Sequence, residues 1–316
     1  MLLRPLFSLA SGSGKVARLS VLIFHRVLPK PDVLFPDEMD ARRFDETCAW
    51  IASWFKVLPL DDALERMRAG TLPARAACIT FDDGYADNHD IALPILHRHG
   101  LSATFFIATG FIDGGRMWND TIIESVRTTP LATLDLSSIG IGSHAVQSIA
   151  QKQVAIPALI GAIKYRPVQE RVSITEQIAL LAQVLPPGDL MMTSAQVKAM
   201  RNAGMQIGAH TVSHPILARL GDEEARHEIQ HSKLVLENLL GERVGLFAYP
   251  NGKPGEDYNA QTVELVRGLG FDAAVSTHWG ASRNGDDMFQ IRRFTPWDRS
   301  RLRFAARMAA NLRTAT

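Results

Sequence analysis

Short, strongly apolar runs alternate along this chain with stretches whose apolar positions recur every three or four residues. The apolar runs predict buried strands, and the three-to-four spacing predicts amphipathic helices. The predicted strands are VLIF, AACITF, ATFFIAT, MQIGAH, VGLFAYP and FDAAVST. The predicted helices cover residues 42–55, 60–70, 88–100, 194–204, 222–241 and 259–270. This alternation indicates parallel strands joined by crossover helices.

Helix-end signals agree with these bounds. An Asp near the start of LDDALERMRAG is suited to capping that helix, and Gly70 ends it. Pro94 predicts a kink in the helix over 88–100, which Gly100 closes. Six or seven strands that are each followed by a helix predict a (β/α) barrel, in which chemistry is placed where the strands end.

The alternation is interrupted from about residue 113 to 192, where the pattern is mostly helical or irregular. ITEQIALLAQVL is the best helix there. We therefore predict an N-terminal extension over 1–19 and a single domain over 20–316, with a largely helical insertion. The fold class is then a distorted (β/α)7-type barrel. Within the insertion, Trp118 and Asp120 are candidates to face a substrate, and ordinary packing is the alternative.

Composition narrows the class of protein. The chain has 316 residues, of which 46% are hydrophobic, enough for one large domain. Lys and Arg number 34 against 33 Asp and Glu, which excludes the basic excess of a dedicated nucleic-acid binder. No apolar run approaches the roughly 18 residues of a membrane span. The two cysteines, Cys48 and Cys78, leave the redox compartment open, and Cys78 fits a buried strand thiol.

Both termini bear on localisation. Arg4 and Pro5 interrupt the apolar start MLLRPLFSLASGSGK, which favours a non-cleaved terminus. We therefore favour a cytoplasmic or peripheral membrane protein, and an extracytoplasmic one stays open. The C-terminal stretch SRLRFAARMAANLR predicts a basic amphipathic helix. Packing on the barrel is the favoured interpretation, with peripheral membrane contact as the alternative.

The most informative stretch is CITFDDGYADN, where a strand runs into Asp82 and Asp83. Repulsion and desolvation oppose two adjacent carboxylates at such a place, unless a cation is bound or one carboxylate holds a proton. A second strand ends at His210, with His214 four residues on. Two imidazoles near a carboxylate are a common divalent-metal set with positions left for water. The alternative is a helix cap at Asp83 with hydrogen-bonded core histidines.

TFDDGYADN, HTVSH and FAYPNG together resemble the polysaccharide deacetylases with the NodB homology domain, carbohydrate esterase family 4. The resemblance covers about residues 20–112 and 193–297. It implies a barrel hydrolase that removes acetyl groups from an N-acetylated glycan. One divalent ion is implied, with Zn²⁺ favoured and Co²⁺, Ni²⁺ or Mn²⁺ as alternatives.

The resemblance also implies roles for individual residues. Asp82 is implied as the general base, and Asp83, His210 and His214 as the metal ligands. The backbone N–H of Asn251 is implied to stabilise the oxyanion. Expected substrate contacts are Tyr249, Pro250 and Trp118.

Two departures from the family pattern put other roles in doubt. Many members carry Arg-x-Pro-Tyr at the third motif, where this chain has AYPN, so another cation must restrain Asp82. Arg293 is the candidate, with a surface strand charge as the alternative. The general-acid His that many members have near the C-terminus is also missing after His278. The branch resembling poly-N-acetylglucosamine deacetylases instead has an N-terminal His, which implies His25 as the acid and leaves His278 in reserve.

RHEIQHSK fits the His-Glu-x-x-His pattern of zinc proteases. On a helical wheel His227 and His231 each lie roughly 160° from the apolar Ile229, so both are predicted to face solvent. Arg226, Ser232 and Lys233 fit the same wet face. We therefore reject a protease.

Two other functions are alternatives to an N-deacetylase. A glycan-binding barrel without catalysis would lack a ligand or the base, and none is missing. An O-acetyl esterase or another amide hydrolase on the same site stays open.

Overall fold

The computed structural model describes residues 3–313 and contains a barrel of short strands. The strands are β1 (Arg18–Phe24), β2 (Lys56–Val57), β3 (Ala76–Phe81), β4 (Thr104–Ile107), β5 (Thr133–Leu136), β6 (Gly142–Ala145), β7 (Gln206–Ala209), β8 (Leu246–Ala248), β9 (Ala273–Trp279), β10 (Ser282–Arg283) and β11 (Ile291–Arg293). The helices are α1 (Leu3–Ser11), α2 (Ala41–Trp54), α3 (Leu60–Ala69), α4 (Leu93–Arg98), α5 (Trp118–Thr128), α6 (Ile149–Ile163), α7 (Val168–Leu181), α8 (Ser194–Asn202), α9 (Asp222–Leu240), α10 (Ala260–Gly268) and α11 (Arg301–Asn311).

Seven strands pair in parallel in the order β1, β3, β4, β7, β8, β9 and β11. The ring closes because Phe294, just after β11, pairs with β1 at Leu22. The Ile23 amide donates to the Phe294 carbonyl at 3.0 Å, and the Phe294 amide donates to the Val21 carbonyl at 2.8 Å. The predicted (β/α)7-type barrel is therefore confirmed.

The strands alternate between two hydrophobic clusters. In β1, Leu19 and Val21 belong to an inner cluster, whereas Leu22 and Phe24 pack against the surrounding helices. Because side chains alternate with a period of two, an inward-facing position near the carboxyl end of a strand points into the mouth of the barrel.

Residues between β4 and β7 form a separate layer with its own core. Its members are α5, α6, α7 and the hairpin β5–β6. Ile122, Leu134 and Ile156 belong to that core, which also includes Leu34 from the loop after β1. Arg127 of α5 forms a two-bond ion pair with Asp32 of that loop, at 2.6 and 3.0 Å. The layer therefore packs against the loop that follows β1, at the mouth of the barrel.

Several local expectations were wrong. Pro59 precedes α3 and no side chain caps that helix, so the predicted Asp cap is absent. The hairpin β5–β6 and the two- or three-residue strands β2, β10 and β11 were not among the predicted strands. Such short pieces are fixed by pairing with neighbours and carry little local periodicity. The expected kink appears as a π-type turn over 88–92, just before Pro94.

The terminal helices pack on the barrel. Phe7 of α1 is fully buried, with its ring 4.8 Å from Phe55. Phe304 and Met308 of α11 are also buried, so the apolar face of that helix is covered, as favoured from the sequence. Peripheral membrane contact stays a prediction. Within residues 3–313, no helix combines the length and apolar character that a bilayer crossing needs.

Candidate active site

The residues predicted as acid, base, metal ligands and oxyanion donor meet at one edge of the barrel. His25 follows β1, Asp82 and Asp83 follow β3, His210 follows β7, and Asn251 lies in the loop after β8. The carboxyl ends of parallel strands lie on the same face of a barrel. Residues that are far apart in the chain are brought together there.

The chain turns sharply between the two carboxylates. Cys78 and Thr80 face inward, and Asp82 continues that face by the two-residue period. The next two residues have positive φ, 77° at Asp83 and 90° at Gly84. A Cβ at Gly84 would lie 3.1 Å from the Ile107 side chain, so only glycine fits comfortably. The turn therefore sends the adjacent carboxylates to different partners.

Asp82 is bound by the Arg293 guanidinium. Nη1 and Nη2 of Arg293 donate to the two carboxylate oxygens, both at 2.7 Å, and its Nε donates to the Ser276 carbonyl at 2.8 Å. Arg293 is fully buried, so it is not a surface charge. Burial opposes ionisation of Asp82, but the guanidinium outweighs burial and holds the pKa of this carboxyl below its ordinary value.

Asp83 lies between two imidazoles. Its Oδ1 is 3.4 Å from Nε2 of His210 and 3.4 Å from Nε2 of His214. Asp83 Oδ1 and His210 Nε2 are buried and have no hydrogen-bond partner among the described residues. Buried polar atoms that face each other without a partner indicate that a further group binds between them.

The donor set fits a divalent cation. His210 Nδ1 lies 2.8 Å from the Ala248 carbonyl, which can only accept a hydrogen bond, so Nδ1 is the donor and Nε2 is the atom that faces Asp83. Burial lowers the pKa of His214 to about 4, which keeps that imidazole neutral as a ligand must be. Ligand atoms at about 2.0–2.1 Å in tetrahedral geometry are about 3.3–3.4 Å apart, which matches the separations around Asp83.

Residues 69–274 match the family model for polysaccharide deacetylases. The chain belongs to the polysaccharide deacetylase family. Its members are hydrolases that act on the N-acetyl amide bonds of sugars. The resemblance drawn from the three motifs is thereby confirmed. The matched segment includes the Asp pair and the His pair but ends before Arg293 and begins after His25.

A relative and two solved structures are also similar to this chain, and the solved structures share its fold. YxkH of Bacillus subtilis, which is named as a polysaccharide deacetylase, is 21% identical over 88% of this chain and 71% of that protein. IcaB from Ammonifex degensii shares the fold with a TM-score of 0.61 and 19% identity, over 96% of this chain and 99% of that one. The Streptococcus pyogenes deacetylase PplD, solved in complex with acetate, shares the fold with a TM-score of 0.59 and 18% identity, over 88% of this chain and 92% of that one.

In this deacetylase, Glu228 of α9 fixes the loop that carries His214. Its carboxylate accepts from the amides of Val212 and Ser213, both at 2.8 Å, and from the Ser213 hydroxyl at 2.6 Å. The loop is strained, because Thr211 and His214 have φ of 65° and 53°. Glu228 therefore helps to orient a candidate metal ligand.

Helix α9 also carries the His-Glu-x-x-His sequence that resembles a zinc-protease motif. His227 and His231 are exposed and stack on each other at 5.2 Å, so they face solvent as predicted. Ser232 was wrongly placed on that face: it is fully buried and its hydroxyl donates to the Ile229 carbonyl. The role of Glu228 was missed, although the same helical wheel places it beside the buried face.

Residues of the third motif divide between core and site. Tyr249 is fully buried, stacks on Tyr258 at 3.9 Å and donates its hydroxyl to the Phe289 carbonyl. Its side chain is thus a core group rather than a substrate contact. Pro250 is also buried. Asn251 has φ of 57°, its carbonyl accepts from Thr277, and no hydrogen bond among the described residues uses its amide N–H.

His25 is exposed at the mouth of a cleft of about 310 Å³. Asp83, Tyr85 and Asp120 line the same cleft, so an acid at His25 would share a cavity with the candidate metal site. His278 is exposed at the end of β9, and it is not among the described residues that line the cleft.

Trp118 does not line this cleft either. Its ring packs against the core of the layer between β4 and β7, and the Arg171 guanidinium lies 5.0 Å from the ring centre. The packing alternative therefore holds for Trp118, whereas Asp120, two residues later on α5, faces the cleft.

Proposed function

We propose that this chain removes acetyl groups from N-acetylated sugars of the N-acetylglucosamine type, with one divalent ion held by Asp83, His210 and His214. Zn²⁺ is favoured because two imidazole nitrogens and one carboxylate oxygen are a common zinc ligand set. One observation carries the proposal: partnerless ligand atoms at Asp83 and His210 lie beside a second carboxylate, Asp82, which Arg293 orients. Adjacent carboxylates with separate partners suit separate roles.

When bound, the ion would supply positive charge that polarises the acetyl carbonyl and favours ionisation of a water molecule. Asp82 accepts the proton of that water as it attacks the carbonyl carbon. Arg293 keeps Asp82 ionised and fixes both of its oxygens.

The remaining steps use the rim of the barrel. The Asn251 amide N–H donates to the oxygen that becomes negative on the acetyl group. His25 donates a proton to the sugar nitrogen as the carbon–nitrogen bond breaks. An amine leaves poorly without that proton, so the acid is needed for an amide far more than for an ester with a stable leaving anion.

Acetate release from short N-acetylglucosamine oligomers tests the proposal. After chelation, we expect release to fall to background and to return when Zn²⁺ or Co²⁺ is added. Oligomers left intact by protein that binds about one metal ion per chain would contradict N-deacetylation, and O-acetylated glycans would then be the substrates to assay.

His25→Ala should slow acetate release from the oligomers by about 10²–10⁴-fold, the range for loss of a general acid. Hydrolysis of an aryl acetate should fall much less, because an aryloxide leaves without a proton. His278→Ala is the matched control and should leave both rates near those of the wild type. Metal content measured on each variant checks the assignment, since loss of the ion in His25→Ala would make His25 a ligand.

A further inference from the structure

Asp120 is a buried carboxylic acid in the cleft beside His25 and Asp83. Its side chain is 3% exposed. Oδ1 accepts a hydrogen bond from the Tyr85 hydroxyl at 3.3 Å, whereas Oδ2 has no partner among the residues that the structure describes. Asp120 comes from α5, in the layer between β4 and β7, and not from the barrel.

The two arginines that line the cleft with Asp120 are already engaged. Arg26 donates to Asp87 at 2.8 Å, and its guanidinium stacks on the Tyr85 ring at 4.5 Å. On the other wall of the cleft, Arg127 is paired with Asp32. Burial accordingly raises the pKa of Asp120 to about 7. Besides Asp83 Oδ1, the cleft therefore has a second buried acceptor atom, Asp120 Oδ2, that no described residue satisfies.

A buried polar atom without a partner opposes folding, and such atoms are rare unless a ligand or water satisfies them. The cleft that Asp120 lines also reaches Asp83, where the acetyl group would be held. Its volume of about 310 Å³ suits a small group such as one sugar ring. The cleft is also lined by the apolar residues Leu28, Phe35 and Ile123, against which the face of a sugar ring can pack.

We propose that this cleft is the subsite for the sugar ring that carries the acetyl group, and that the free carboxyl oxygen of Asp120 binds a hydroxyl of that ring. The inference rests on the proposed function. A hydroxyl both donates and accepts, so it can pair with Asp120 in either protonation state, which an ammonium group cannot do. Asp120 is then a specificity-determining residue supplied by the layer that covers the barrel.

The test compares two substrates in Asp120→Leu, which keeps the branched shape but has no polar atom, and in Asp120→Asn, which keeps both the shape and an acceptor oxygen. For the oligomers, kcat/KM should fall about 10- to 100-fold in Asp120→Leu and less in Asp120→Asn. Hydrolysis of an aryl acetate, which has no sugar ring, should stay within about twofold in both. The melting temperature should be kept in Asp120→Asn, whose amide oxygen can still accept from the Tyr85 hydroxyl, and should fall in Asp120→Leu, which leaves that buried hydroxyl without its acceptor. Glu176→Leu, at an exposed acid on α7, is the matched control.

Each outcome decides between the proposals. Equal losses on both substrates, or a lower melting temperature with both rates reduced, would make Asp120 a structural residue and overturn the inference alone. Unchanged kcat/KM on the oligomers would also overturn it. Wild-type protein that hydrolyses the aryl acetate but releases nothing from oligomers would overturn the proposed function, and the sugar subsite with it.

Discussion

Asp82→Asn should lower acetate release by about 10²–10⁴-fold while the protein still binds about one metal ion per chain. An amide cannot accept the proton of the attacking water, and a lost general base commonly costs 10²–10⁴ in rate. The metal should stay because Asp82 is bound to Arg293 and is not part of the Asp83, His210 and His214 cluster. Metal content and steady-state kinetics on the same sample check both parts.

The substitution also leaves the Arg293 charge buried without a full partner. Breaking a buried ion pair in this way typically costs about 3–5 kcal/mol, so the melting temperature should fall. Adding Arg293→Met removes the stranded charge, and the double variant should regain much of the stability but none of the activity. Recovery of activity along with stability would show that the single variant failed through unfolding, and Asp82 would not be the base.

Asp83→Asn should abolish both metal binding and turnover. The residue has φ of 77°, a conformation that Asn tolerates well, so the turn should survive the change. A neutral amide oxygen is a much poorer ligand than a carboxylate, and the two imidazoles alone leave an incomplete set. We expect substoichiometric metal after dialysis and a rate reduced by at least about 10³-fold.

Asp113→Asn is the matched control, because Asp113 is an exposed aspartate that also has positive φ, 64°. It should keep metal and activity. Full metal content in Asp83→Asn would remove Asp83 from the ligand set. Loss of metal in Asp82→Asn together with retention in Asp83→Asn would exchange the roles of the two carboxylates.

Prediction from sequence worked best where the chemistry and the strand end are adjacent in the chain. The strand before Asp82 and the strand before His210 are visible as apolar runs, and in a parallel barrel their carboxyl ends must share one edge. Proximity of the Asp pair and the His pair therefore followed from local patterns and topology. The spacing of the three motifs was specific enough to indicate the family.

Prediction from sequence failed where a side chain could point either towards the core or towards the site. Tyr249 was expected at the substrate because it stands in the third motif, but the alternation of β8 and the loop direct its ring into the core against Tyr258. Trp118 and Asp120 are two residues apart on α5 and face opposite surroundings, the helical layer's core and the cleft. Helical phase is decided by what packs against the helix, which local sequence does not specify.

The sequence by itself predicted the barrel class and the candidate metal ligands, because both depend on short-range patterns, and the family resemblance implied separate roles for Asp82 and Asp83. Only the tertiary structure decided the partners. Arg293 reaches Asp82 across 211 positions because β11 closes the ring beside β1. Glu228 holds the His214 loop, and Asp120 keeps one oxygen free in the cleft, through contacts between elements distant in the chain. Such contacts depend on how the barrel closes and on how the layer between β4 and β7 packs against it. Neither can be read from the hydrophobic periodicity of the residues concerned.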